Sequence, residues 1–150
     1  MATPQVHECF LANNKVTMYD FDPDATTATE VAWVDMRDFG EATFAFFRTI
    51  GTGATTLRVL ANAASDGSGT DVVIASKTLT AAEPNAVGDY TFQSITAEQI
   101  AQEASDAGVA GVRYVCLELS VATNTDEGVA LYILSKPRYA YTALTADNIA

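Results

Sequence analysis

Positive charge is scarce in this sequence. Eight Lys and Arg residues stand against nineteen Asp and Glu residues, so the formal net charge is -11 at pH 7. Proteins that bind nucleic acid need clustered basic residues to displace counterions from phosphates, and anionic membrane surfaces attract the same clusters. Here the basic residues occur singly along the chain. The sequence therefore predicts a protein that neither binds nucleic acid directly nor attaches to a membrane.

Histidine and cysteine are scarce as well, which limits the chemistry available. A Ser or Cys nucleophile normally needs a base, most often histidine, and the single histidine, His7, lies in an N-terminal segment without periodicity. A structural zinc ion takes about four Cys or His ligands, whereas the chain has one histidine and two cysteines. We predict no enzyme activity, no cofactor and no metal site, and we expect Cys9 and Cys116 to be free thiols.

Long apolar runs are also missing. No run approaches the ~20 residues that cross a bilayer, and the first residues lack the basic start and apolar stretch of a signal peptide. We expect a chain that is made in the cytoplasm, stays soluble and is not exported by a signal peptide. A hydrophobic fraction of 49% with 18% charged residues is typical of a globular protein.

What the sequence does contain is a series of short alternating runs between turns rich in Gly, Asp and Thr. These runs predict strands at residues 15–19, 31–36, 42–50, 54–61, 71–75, 112–121 and 129–135. The turn at residues 65–69 (SDGSG) predicts a hairpin. Alternation puts Phe44, Phe46 and Ile50 on one face, and we expect Trp33 and Phe47 in the core too. The run 129–135 is apolar on both faces, which favours a central strand or one covered by a partner.

One helix is predicted between these strands. Thr96 and Gln99 fit a capping box, in which each side chain satisfies a backbone donor of the other residue. Ile95 and Ile100 fit a hydrophobic staple, and Gly108 provides a C-terminal stop. The helix is therefore expected at about residues 97–106.

Strands that do not alternate with helices indicate an antiparallel sheet protein. The predicted fold class is mainly β, an antiparallel β-sandwich or jelly roll with one short α-helix. We expect residues 1–14 to form a flexible arm, residues 15–138 the β-sandwich domain and residues 139–150 a C-terminal tail.

One set of acidic residues is a candidate calcium site. Asp20, Asp22, Asp24 and Glu30 begin like a calcium loop, which places carboxylates at alternate positions. Ala25 replaces the turn glycine of such a loop, however, so a solvated acidic loop is favoured over a weak calcium site.

A second possibility is a pair of carboxylates that hydrolyses glycosides. Glu118, on the polar face of a predicted strand, could pair with Asp35 or Glu41. In so acidic a chain, pairs of this kind arise by chance, and a small hydrolase is the least favoured function.

Aromatic and apolar residues near the two termini form a candidate partner interface. Tyrosine rings bury area while the hydroxyl stays hydrogen-bonded, so they suit subunit contacts. Packing of these residues on the chain's own sheet is an equally good alternative. The residues assigned to the interface are Phe10, Leu11, Tyr139, Tyr141 and Leu144.

Over residues 30–76 and 111–140 the sequence resembles a loosely defined group of small virion proteins of tailed bacteriophages. The segments that carry the resemblance are Glu30–Met36, Thr43–Ile50, Leu57–Gly69, Arg113–Leu119 and Val129–Tyr139. Such proteins are similar to head-decoration (cement) proteins and related head or tail components.

The resemblance implies a non-enzymatic capsid decoration protein that stabilises the shell and is located in the virion. Its expected partners are the major capsid protein or other virion proteins, bound as a homo-oligomer, with a trimer favoured. The N-terminal arm (residues 1–14) and the C-terminal tail (residues 139–150) would then form the contact with the shell. The alternative function is a carbohydrate- or receptor-binding β-sandwich module associated with the tail.

Overall fold

The computed structural model describes residues 13–23, 27–51, 55–79, 90–121 and 125–138. The elements in chain order are β1 (Lys15–Phe21), β2 (Thr29–Asp35), β3 (Phe39–Ile50), β4 (Thr55–Asn62), β5 (Val72–Leu79), β6 (Tyr90–Thr96), α1 (Ala97–Asp106), β7 (Tyr114–Val121) and β8 (Glu127–Pro137). Most of the predicted arm and all of the predicted tail lie outside the described residues, so that division of the chain stays a prediction.

The strands form two antiparallel sheets of four strands. One sheet has the order β1-β8-β3-β6 and is called the β8 sheet; the other has the order β2-β7-β4-β5 and is called the β7 sheet. Strand β1 therefore pairs with β8 and β3 with β6 in one sheet, while β2 pairs with β7 and β4 with β5 in the other. Apart from β4 and β5, consecutive strands of the chain thus alternate between the two sheets. This is the topology of a jelly roll. The predicted fold class is confirmed.

The sequence predicted α1 and the β4–β5 hairpin correctly, because both depend on interactions between neighbouring residues. The Thr96 hydroxyl accepts the Gln99 amide at 3.2 Å, and the Thr96 amide donates to the Gln99 side chain at 2.8 Å. In the hairpin turn, Gly67 has a φ of +71° and the Asp66 carboxylate accepts the Ser68 amide at 3.1 Å. Glycine at such a φ avoids the Cβ clash that penalises other residues.

Three aromatic and aliphatic positions differ from the prediction. Ile50 is 48% exposed, because a register shift between Arg48 and Ile50 breaks the alternation of β3. Phe47 points away from the core and is 37% exposed. Trp33 is half-buried and donates its indole N–H to Glu30 at 2.7 Å. Phe44 and Phe46 are fully buried, as predicted.

Strand β6 is the element that the sequence interpretation missed. Its residues alternate between exposed Tyr90, Phe92 and Ser94 and the more buried positions between them. The strand pairs with the edge of β3 and leads directly into α1.

The core lies between the two sheets, and Tyr132 of β8 crosses it. Its ring packs edge-on against Tyr19 and Phe44, with centroids 4.9 and 4.7 Å away. Its hydroxyl accepts the Leu117 amide of the opposite sheet at 2.9 Å. Leu117 lies opposite a bulge in β2, where the register shifts between Glu30 and Trp33. The hydroxyl thus replaces a ladder partner that the bulge removes.

We expect Tyr132→Phe to lower the free energy of unfolding by about 1–3 kcal/mol, because the buried Leu117 amide loses its acceptor. Chemical denaturation measures this change. Tyr90→Phe removes an exposed hydroxyl and is the matched control, expected to leave stability unchanged. Equal stability of the two variants would contradict the bridging role of Tyr132.

Candidate functional site

The outer face of the β8 sheet is mainly apolar, and its apolar residues extend across all four strands. The strand registers align one row that runs Met18, Leu131, Ala45 and Phe92 from β1 to β6. The flanking rows are Val16, Ile133, Thr43, Ser94 and Asp20, Val129, Phe47, Tyr90. These twelve positions are called the apolar face. Asp20 at one corner is its sole charged member.

Several side chains of the apolar face project into solvent. Met18, Phe92 and Tyr90 are 71%, 62% and 61% exposed, respectively. The rings of Phe47 and Tyr90 stack with centroids 5.7 Å apart, which fixes this aromatic corner. Strand spacing and rise give the face an area of roughly 300–400 Å². Contiguous apolar patches of that size on a protein surface often mark interaction sites.

The outer face of the β7 sheet is covered differently. Arg58 and Glu118 are cross-strand neighbours and form an ion pair. Asn62 donates to Asp71 at 2.7 Å. Polar pairs therefore lie on the outside of the β7 sheet, on either side of a row formed by Leu60, Cys116 and Trp33. The two outer faces of the sandwich thus differ in their content of charged side chains.

A pocket lies at the end of the sandwich where β2, β6 and β8 end. It is a pocket of about 230 Å³ that includes the start of α1 at Ala97. Apolar side chains and three arginines line it: Met36, Ile100, Ala101, Val112, Arg37, Arg113 and Arg138. Three of the eight basic residues of the chain thus meet in one place. We call it the arginine pocket.

Backbone hydrogen bonds bring these arginines together. The Met36 amide donates to the Arg113 carbonyl at 2.9 Å, and the Arg138 amide donates to the Asp38 carbonyl at 2.9 Å. Arg37 lies between Met36 and Asp38, so these two hydrogen bonds hold Arg113 and Arg138 next to it. Sequence reasoning missed the cluster because its members are far apart in the chain.

The acidic candidates from the sequence do not form a site in the part of the chain that the structure describes. Asp24 lies outside it, and the Glu30 carboxylate is bound to Trp33. Nowhere in the described ranges do three His, Cys, Asp or Glu side chains group as a metal ion requires.

The candidate hydrolytic carboxylates are held apart in separate ion pairs. Glu118 pairs with Arg58, Asp35 with Arg113 and Glu41 with Lys136. Asp35 pairs with Tyr114, and Tyr114 lies four residues before Glu118 in β7. Four residues of a strand span about 13 Å, so Asp35 and Glu118 are about that far apart along the strands. That distance exceeds the ~5–10 Å of paired catalytic carboxylates. Glu41 belongs to the other sheet.

A buried ion pair closes the opposite end of the sandwich. Arg48 takes the next inward position of β3 after Phe44 and Phe46, and its guanidinium lies 3.2 Å from the Asp126 carboxylate. It also donates to the Thr55 hydroxyl. Asp126 packs tightly on Gly51, where a Cβ would clash. The pair therefore joins β3 and β4 to the chain entering β8.

Cys116 is a free thiol with no exposed surface, as predicted for this residue. Burial raises its pKa to about 12. Cys9, His7 and the predicted interface residues Phe10, Leu11, Tyr139, Tyr141 and Leu144 lie outside the described residues. Among the described helices, none is long and apolar enough to cross a membrane.

We expect Cys116 in a Cys9→Ser variant to resist thiol reagents at pH 8 while the protein is folded, and to react after unfolding. A thiol with a raised pKa stays neutral and unreactive. In the unfolded chain the Cys116 thiol ionises near pH 9, whereas in the folded chain it stays neutral up to about pH 12. The stability that the neutral thiol contributes is therefore lost as the pH rises from 9 towards 12. Time-resolved labelling with a chromogenic disulfide measures the reactivity. Labelling of the folded protein at the rate of the unfolded control would contradict the burial.

No protein-family model matches the sequence, and no curated protein matches it. Solved structures with limited similarity to the fold include the following three. The SPBc2 prophage-derived protein YomS is 17% identical, with a TM-score of 0.45, over 81% of this chain and 95% of that chain. A structure of Bacillus endospore appendages, a family of disulfide-linked pili, is 14% identical, with a TM-score of 0.43, over 81% and 86% of the two chains.

A structure of the infectious bursal disease virus Gt strain is 8% identical, with a TM-score of 0.40. This similarity covers 87% of the present chain and 32% of the viral one. Similar structures thus include a prophage-derived protein and a virus. At these identities and TM-scores they carry no argument about function.

Proposed function

We propose that this chain is a non-enzymatic structural protein of a phage virion, which decorates and stabilises the capsid shell as an oligomer. The observation that carries the proposal is the apolar face on the outside of the β8 sheet. A mainly apolar sheet surface that spans four strands and carries one charge at a corner suits burial against a protein surface better than exposure to water. The resemblance of the sequence to small tailed-phage virion proteins supports the choice of a virion as the place of assembly.

The apolar face alone is too small for a stable contact, which gives the terminal segments a role. Its roughly 300–400 Å² is about half of the ~800 Å² that one partner buries in a standard interface. Lys15 at the start of β1 pairs with Leu134 near the end of β8. The N- and C-terminal segments therefore leave from neighbouring strands of the sheet that bears the face. We propose that residues 1–12 and 139–150 supply the remaining contact area.

The occupant we assign to the apolar face is the outer surface of the major capsid shell. A protein on the outside of a shell needs no basic patch for the genome, which agrees with the net charge of -11. Symmetric oligomers, here with a trimer favoured, match the local symmetry of shells and multiply each weak contact.

The copy number of the chain in purified particles tests the assignment to the shell. Quantitative mass spectrometry against the major shell protein should give a ratio near one if the whole shell is decorated. A ratio far below one would contradict decoration and place the protein in the tail or connector. Absence from particles would overturn the virion proposal.

We expect Phe92→Asp to weaken binding to undecorated shells by about 2 kcal/mol, roughly thirtyfold, because it replaces an exposed ring of the middle row of the apolar face with a charge. Co-sedimentation of purified protein with shells measures the affinity. Val73→Asp is the matched control, since Val73 is 44% exposed on β5 of the other sheet. Equal binding by the two variants would show that the apolar face is not the docking surface.

A carbohydrate- or receptor-binding module remains the second candidate, because Tyr90 and Phe92 expose aromatic rings on a sheet surface. Sugars stack on such rings, although Phe47 already occupies one side of Tyr90. Saturable glycan binding that Phe92→Ala abolishes, together with no binding to shells, would favour this candidate.

A further inference from the structure

We propose that the arginine pocket binds the carboxylate of an acidic protein segment. The pocket presents three guanidinium groups, Arg37, Arg113 and Arg138, above an apolar floor that includes Met36, Ile100 and Val112. Planar guanidinium groups bind carboxylates in a fork-like, bidentate manner. The apolar floor suits an aliphatic neighbour of the acidic residue, so the ligand is amphipathic.

The size of the pocket points to a side chain as the ligand. Its volume of about 230 Å³ is below the ~300–1,000 Å³ typical of cofactor and small-molecule sites. One acidic side chain with its adjoining backbone suits this volume better than a whole cofactor does.

The arginines retain binding capacity despite their neighbouring acids. Arg113 lies 3.0 Å from Asp35 and Arg37 lies 3.6 Å from Asp38, and both arginine side chains are substantially exposed. Exposed pairs of this kind contribute little stability and leave further N–H donors of each guanidinium available. The pKa of Glu98, beside the pocket, is lowered by hydrogen bonds at the start of α1 and then by the charges of Arg138 and Lys136. Three arginines and no acidic residue line the pocket itself, while Asp35, Asp38 and Glu98 lie around it.

The surrounding backbone holds this arrangement before any ligand arrives. Backbone hydrogen bonds from Met36 to Arg113 and from Arg138 to Asp38 fix the positions of the three segments that carry the arginines. Lys136 has a φ of 53°, unusual for a residue other than glycine, just before the chain turns towards Arg138. A backbone conformation of this kind is strained for a residue with a side chain and tends to persist at functional positions. The start of α1 at Ala97 adds partial positive charge to the same pocket.

The inference is independent of the capsid assignment, because the pocket lies at one end of the sandwich and the apolar face lies on the outside of one sheet. An acidic segment of a second copy or of a different protein presents the same chemistry to the pocket. Failure of peptide binding would therefore leave the copy-number result untouched.

The test uses the full chain and a blocked hexapeptide that contains two Glu and two Leu residues. Titration followed by ¹⁵N NMR should shift the amide signals of residues 36–38 and 113, and Arg37→Gln or Arg138→Gln should weaken binding roughly fivefold. Lys77→Gln removes a basic residue outside the pocket and should leave the affinity unchanged. Unfolding curves of each variant confirm that the fold is retained.

Two further ligands separate the possible outcomes. The hexapeptide with Gln in place of Glu should not bind, and inorganic phosphate should bind more weakly than the acidic peptide. Phosphate binding as tight as peptide binding at the same residues would overturn the assignment to a protein carboxylate. No shifts with millimolar acidic peptide, or equal loss of affinity in the Lys77 variant, would overturn the site itself.

Discussion

The hydrogen bond from the Leu117 amide to the Tyr132 hydroxyl is the interaction on which the arrangement of this molecule depends. It joins the two sheets through the middle of the core, where sandwiches normally rely on apolar contact alone. It also satisfies the backbone donor left by the bulge in β2. Because Tyr132 must point inwards, the two-residue period of β8 directs Leu131 and Ile133 outwards. The apolar face therefore follows from the position of this tyrosine.

The bulge that Tyr132 accommodates also affects the far end of β2. Beyond it, Val34 faces the core while Asp35 reaches Arg113. The chain then crosses to β3 through residues 36–38, which carry Arg37 into the arginine pocket. One local irregularity thus connects the interior of the sandwich with the pocket at its end. At the opposite end, the Arg48–Asp126 ion pair joins β3 and β4 to the chain entering β8.

Sequence patterns predicted most elements of this fold, because the information they use is local. The capping box of Thr96 and Gln99 placed α1 at its observed bounds, and alternation placed β8. Ile50 was assigned to the wrong face because a bulge changes the period without a local sequence signal. The arginine pocket could not be predicted from the sequence, because tertiary hydrogen bonds bring its distant segments together. Strand β6, in contrast, did carry a usable signal in the alternation of Tyr90 to Ile95.

The charge distribution affects how copies of this chain can meet through the apolar face. A net charge of -11 makes copies of the chain repel one another, while the face itself carries only Asp20 at one corner. Self-association through two such faces works against that repulsion over the whole surface. A larger partner that presents neutral or basic surface does not face this opposition. Charge excess and apolar face together therefore favour docking on a different protein over face-to-face pairing of two copies.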